Sequence, residues 1–153
     1  MQRLILLFSI LLPFTPFAQD GFLDDYQVDE IEIVRDQWGT PHIYAPTDYQ
    51  CSYGLAWATA EDHFDIICQQ LLTSRHIRGK WSGKDGAMVD YFGQWIRAKE
   101  RVERDWARIS PEYKKIIFAY AASINAYEAK YGVPKQVRAA RECFPVHPKD
   151  LLT

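Results

Sequence analysis

A chain of 153 residues with 48% hydrophobic and 14% aromatic content is one domain long and carries enough apolar surface for a core, which excludes a disordered chain. Its formal net charge is −2 and its Lys and Arg residues are scattered among acids, so no basic stripe argues for nucleic acid.

The first twenty residues, MQRLILLFSILLPFTPFAQD, place one basic residue (Arg3) before an apolar run from Leu4 and a polar switch at Gln19-Asp20. That is the layout of a secretory signal peptide, expected over 1–19, with residues 20–153 as the exported chain. Pro13 and Pro16 interrupt the run, which falls short of the roughly 20 apolar residues a spanning helix needs, so no stable membrane anchor is expected. Export, to a periplasmic or extracellular space, bears on Cys51, Cys68 and Cys143. Their spacings are too wide for a Cys-x-x-Cys redox or zinc motif. In an oxidising compartment two of them pair, or all remain buried thiols; the sequence leaves both open.

VDEIEIVRD alternates apolar and polar residues, with Ile31, Ile33 and Arg35 on one face of a strand. Gln37-Trp38-Gly39 reads as a turn and 40–45 as the returning strand, with Pro41 at its edge or beginning. Thr47 and Gln50 form a capping box that opens a long helix, with Tyr53, Ala56, Trp57, Ala60, Phe64, Ile67, Leu71 and Leu72 at helical spacing as far as Gly79. GKWSGKDG, 79–86, reads as a loop. It lacks the four-residue glycine spacing and the Ser or Thr of a phosphate-binding loop, and Asp85 stands where an anion would sit. One amphipathic helix is expected over 89–108, with Phe92, Trp95, Ile96, Val102 and Trp106 as its apolar members. Ser110-Pro111-Glu112 starts another, whose Tyr113, Ile116, Ile117, Tyr120, Ile124 and Tyr127 form a stripe ended by Gly132. His147-Pro148-Lys149-Asp150 begins a further helical turn. The fold class is α+β: a mostly helical chain with an N-terminal β-hairpin.

No complete catalytic apparatus stands in these residues. Arg35, Asp36 and His42 include an acid–base pair, but no Ser or Cys lies beside them in an activated context, and a hairpin sends neighbours to opposite faces. Structural roles are expected instead: charged hydrogen bonds from Arg35 and Asp36, a tight turn at Gly39, a fixed return at Pro41. Glu61 and Asp65 share a helix face, yet a hard-cation site needs about six oxygens, so a solvated or ion-paired face is the reading. No Gly-x-Ser-x-Gly elbow is present.

Four blocks nevertheless stand in a telling order: IEIVRDQWGTPHIYA, YGLAWATAEDHFD, QLLTSRHIRGKWSG and FAYAASINAYEAKYG. They resemble the start of the penicillin acylase (penicillin amidase) family of N-terminal-nucleophile hydrolases, with a texture nearer its aculeacin and acyl-homoserine-lactone acylase branch. The positions matching the family motifs are Arg35, Asp36, Trp38, Gly39, Pro41, His42 and Ile43, then Tyr53, Gly54, Ala58, Ala60, Glu61 and Asp62. Arg75, Gly79, Tyr120, Ala121, Ile124, Asn125 and Ala126 follow. The chain departs from the family pattern at His63, where Arg is usual, and at Ser123, where Gly is usual.

The resemblance implies the front part of an α chain, an incomplete part of an αββα fold, with the catalytic Ser on a β chain made from the same precursor. It implies an exported enzyme that hydrolyses acyl-amide C–N bonds, with the acyl-amide and the β chain as partners and no catalytic residue in this chain. The resemblance allows calcium in the complete family enzyme and implies no cofactor for this segment. The competing expectation is a small exported helical binding or scaffold protein, or a gene relic, without catalysis.

Overall fold

The computed structural model describes residues 28–153, so the expected signal peptide lies outside the described residues. These residues are mostly helical, with one two-stranded antiparallel sheet. Strands β1 (Glu32–Arg35) and β2 (Pro41–Tyr44) pair with Ile33 opposite Ile43 and Arg35 opposite Pro41. Pro41 opens its strand, where a missing N–H costs no internal ladder bond.

Helix α1 (Asp48–Ser74) starts at Thr47, whose backbone is extended and whose hydroxyl oxygen accepts the Gln50 N–H at 3.4 Å. The expected capping box takes another form. The Thr47 hydroxyl donates to Gln50 Oε1 at 2.6 Å, and the Gln50 amide donates to Glu30 at 3.3 Å, tying the preceding turn to the helix. Helix α4 (Pro111–Tyr131) starts as its sequence predicts, with Ser110 accepting from the Tyr113 N–H and Pro111 in the first turn. Gly132, at φ +72°, ends it.

Helices α1 and α4 build the core together. Ala56, Ala60, Phe64, Cys68, Leu71 and Leu72 bury against Ala121 and Ile124. The alanines let the backbones approach, and the larger side chains fill the space beside them. Chain beyond α4 closes the core with Val133, Val137, Ala140, Cys143 and Val146. It runs through 3-10 segments at Lys135–Cys143 and Pro148–Leu152, the second begun by a His147–Asp150 capping box. All three cysteines are free. Burial pushes the Cys68 thiol up to about 12, with Cys143 close by adding to the rise, so the thiol stays protonated and inert.

Two expectations fail over 79–108. Residues 79–86 are not a loop: α2 runs Gly79–Trp95, kinked at Ser82 and Gly83. The reason is tertiary. Asp90, one face on, accepts the N–H groups of Arg78 and Gly79 at 2.9 and 2.8 Å, capping the start of its own helix. Nor does one helix span 89–108. It breaks at Arg97, in the left-handed region at φ +54°, and resumes as α3 (Ala98–Asp105) followed by a 3-10 turn at Trp106–Arg108.

Asn125 holds the closing segment to α4. Its side chain accepts the Val146 N–H at 2.7 Å and donates to the Val146 carbonyl at 3.0 Å, satisfying both backbone groups of a buried residue. Asn125→Ala leaves both unpaired, and a chemical denaturation curve will show a loss of about 2–3 kcal/mol.

His76 turns the corner between α1 and α2 at φ +57°. Burial pushes its pKa below the ordinary 6.5 and Lys99 adds to the fall, while Asp90 and Glu100 oppose it. The folded chain therefore binds this proton less tightly than the unfolded chain does. Its contribution to stability is complete above the unfolded value and is lost as pH falls through the folded one. Melting temperature will fall between neutral pH and pH ~5, and His76→Asn, which suits the same backbone region, will flatten that slope.

Candidate functional site

The motif residues gather where the hairpin meets the middle of α1. Arg35, last in β1, lies across the hairpin mouth and down onto the helix. Its guanidinium donates to the Gly39 carbonyl at 2.8 Å and to the Ala58 carbonyl at 3.4 Å. It also engages Asp62 at 3.0 and 3.1 Å and Glu61 at 3.1 Å. The hydrogen bonds to Asp62 and then Glu61 raise its already high pKa, and a planar fork of donors suits this crowded set of acceptors. Glu61 is held from its other side by Trp57 Nε1–H at 3.1 Å. Helical geometry leaves at His63 (φ −145°, ψ +40°), directly after the two acids.

Asp36 turns the other way and organises the turn. Its Oδ1 accepts the N–H groups of Trp38 and Thr40, each at 2.9 Å, and His42 Nε2 stands 3.6 Å from Oδ2. Burial works to raise the Asp36 pKa, but the donors Thr40, Trp38 and His42 outweigh it, and the carboxyl titrates below its usual range. Gly39, at φ +83°, completes the turn.

Gly54 explains how the hairpin lies so close to the helix. A methyl group built there would sit 2.8 Å from Ile43 Cγ2 and 3.0 Å from Ile31 Cγ2. Tyr53, next to it, is buried with Ala119 of α4. Arg35, Gly39, Gly54, Glu61 and Asp62 thus belong to one junction, and Asp36, Pro41 and His42 to the turn beside it. Asn125 lies elsewhere, on the closing segment. An aromatic group flanks the junction: Trp57 meets Tyr127 edge-on at 5.3 Å, and Lys130 lies 5.3 Å over the Trp57 ring.

Sequence reasoning missed two anchors. Asp90, described above, has the sequence signal of a lone acid eleven residues after a glycine, which no periodicity argument picks out. Arg75 was matched only as a motif letter. It reaches Asp150 at 2.7 Å and the Pro145 carbonyl at 3.0 Å, linking the end of α1 to the end of the described chain.

The junction's charged groups are bound to one another, and none is poised beside a nucleophile. The calcium allowed in the complete enzyme does not fit here either. No three His, Cys, Asp or Glu side chains stand together as a ligand set among the described residues, and Glu61 and Asp62 are engaged by Arg35.

Known proteins give the geometry a context. The model of the family described as penicillin amidase matches residues 30–152. An acyl-homoserine lactone acylase PvdQ of Pseudomonas savastanoi pv. phaseolicola is 27% identical over 156 residues, covering 95% of this chain and 19% of that protein. A penicillin acylase 2 proenzyme of Pseudomonas sp. (strain SE83) is 30% identical over 107 residues, 68% of this chain and 13% of its own length. The chain thus spans about a fifth or less of the curated relatives it matches. Among solved structures, a thermostable penicillin G acylase from Alcaligenes faecalis shares the fold with a TM-score of 0.65 at 22% identity, over 79% of this chain and 67% of that one. A family match over nearly every described residue decides the matter: the chain belongs to the penicillin amidase family.

Proposed function

We propose that this chain is the front part of the α segment of an exported acylase that hydrolyses acyl-amide C–N bonds. The nucleophile is an N-terminal Ser on a β chain that this sequence does not contain. The observation that carries the reading is the family match over 30–152 together with the state of the motif residues. Arg35, Asp36, Glu61 and Asp62 spend their charge on each other and on the backbone. Their role is to support the fold.

The chemistry then divides between two polypeptides. On the β chain, the Ser Oγ attacks the amide carbon while its own α-amine takes the proton. Fixed donors hold the oxyanion until the amine leaves, and water releases the acyl group. On this chain, Arg35 and Gly54 set how the hairpin seats on α1, Asn125 sets how the closing segment seats on α4, and Arg75 ties that segment to the end of α1. One relative's printed name points to acyl-homoserine lactones and another's to penicillins, so the substrate class proposed is a small molecule with an acyl chain on an amide nitrogen.

The purified 153-residue chain, offered a chromogenic acyl-anilide, will release no amine. Turnover by this chain alone overturns the proposal. Arg35→Ala will lower the melting temperature and speed hydrogen exchange in Thr40 to Tyr44, the signature of a loosened hairpin. An unchanged melt and unchanged exchange would remove Arg35 from its supporting role.

A further inference from the structure

Helix α2 carries its apolar residues on the wrong side for a core. Met88, Tyr91, Phe92 and Trp95 repeat at i, i+3, i+4 and i+7, a single stripe, and they are 64%, 66%, 55% and 70% exposed. The opposite face holds Gly86, Asp90 and Gly93. A methyl group on Gly86 would lie 2.5 Å from the Arg78 carbonyl oxygen, and one on Gly93 would lie 2.6 Å from His76 Nε2. Asp90 is fixed on the Arg78 and Gly79 N–H groups. The helix therefore cannot roll to bury its stripe, because the face that now packs has no room for side chains. Phe92 and Trp95 lie against each other, centroids 6.0 Å apart, and among the described residues neither has another ring contact. Three aromatic side chains and a methionine on one exposed helix face have the composition of an interface centre.

We infer that this stripe is the seat of the remaining acylase polypeptide, an apolar groove on the second chain receiving Met88, Tyr91, Phe92 and Trp95. The inference rests on the proposed function and adds the surface through which the two parts meet. Two observations select that occupant. At least about four fifths of each curated relative's length lies outside the part matched here, and one of them is a named proenzyme, so this segment has a large covalent or processed companion in its family. And the tight glycine face of α2 fixes the stripe outward, which a helix that finished its packing within this chain would not require.

The test is co-expression of the tagged 153-residue chain with the Pseudomonas sp. (strain SE83) penicillin acylase 2 polypeptide lacking its matched segment. That polypeptide's own deleted segment, supplied in the same way, shows that it can assemble. The wild-type chain and Trp38→Asp, a change at an exposed hairpin tip, will co-purify it. The double variant Phe92→Asp, Trp95→Asp will lose at least about tenfold of the recovered partner, with its circular dichroism and melting temperature unchanged. Equal recovery by the double variant overturns the assignment of the stripe and leaves the two-chain reading standing. Failure of the wild-type chain where the partner's own segment succeeds overturns both. A wild-type dimer in sedimentation that the double variant dissolves assigns the stripe to a second copy of this chain, and also overturns it.

Discussion

The close approach of α1 and α4 is the constraint on which everything else in this chain depends. Ala56 and Ala60 on one side and Ala121 on the other keep the two backbones near, and Phe64, Leu72 and Ile124 complete the contact. Tyr53 and Ala119 extend the same contact toward the hairpin. Once that pair is set, the hairpin has one surface to lie on, at Gly54, and the chain after α4 has one groove to close. The polar anchors then act on pieces already in place. Arg35 holds the hairpin, Arg75 the last segment, Asn125 the turn between. The part-exposed Arg35 ion pairs contribute little alone, so their value is directional: they choose among ways of laying the same apolar faces together.

Much of this was legible in the residues and some was not, for physical reasons that differ by element. The hairpin, α1 and α4 announce themselves because alternation, caps and an apolar stripe all agree. Thr47, Ser110 and Gly132 mark ends that the structure keeps to within a residue or two. The stretch 79–108 did not read correctly because its decisive contacts are long in range. Glycines at 79, 83 and 86 suggest a loop by local preference; Asp90 closing back on Arg78 and Gly79 holds the stretch against the helix, and Gly83 stays non-helical at the kink. Arg97 was equally opaque: a non-glycine residue in the left-handed region has no sequence signal. The long 3-10 segment at Lys135–Cys143 lacks the period of an α-helix and passed unseen.

The motif residues teach a narrower lesson. Arg35 and Asp36 are adjacent, yet one faces the helix and the other the turn, as strand alternation demands. Glu61 and Asp62, also adjacent, both reach one guanidinium immediately before the helix distorts at His63. Ser123 is buried with its hydroxyl unpaired among the described residues. Neither His63 nor Ser123 takes part in the bonds that hold the hairpin or the closing segment.

In the function proposed here, this chain supports a nucleophile carried by another polypeptide. The most direct measurement is to isolate the protein under native conditions from cells that make it, then sequence the N-terminus of every polypeptide in the fraction that hydrolyses acyl-amides. That fraction will hold two polypeptides, one containing residues 30–152 and one beginning with Ser. An active fraction holding this chain as its sole polypeptide would contradict it.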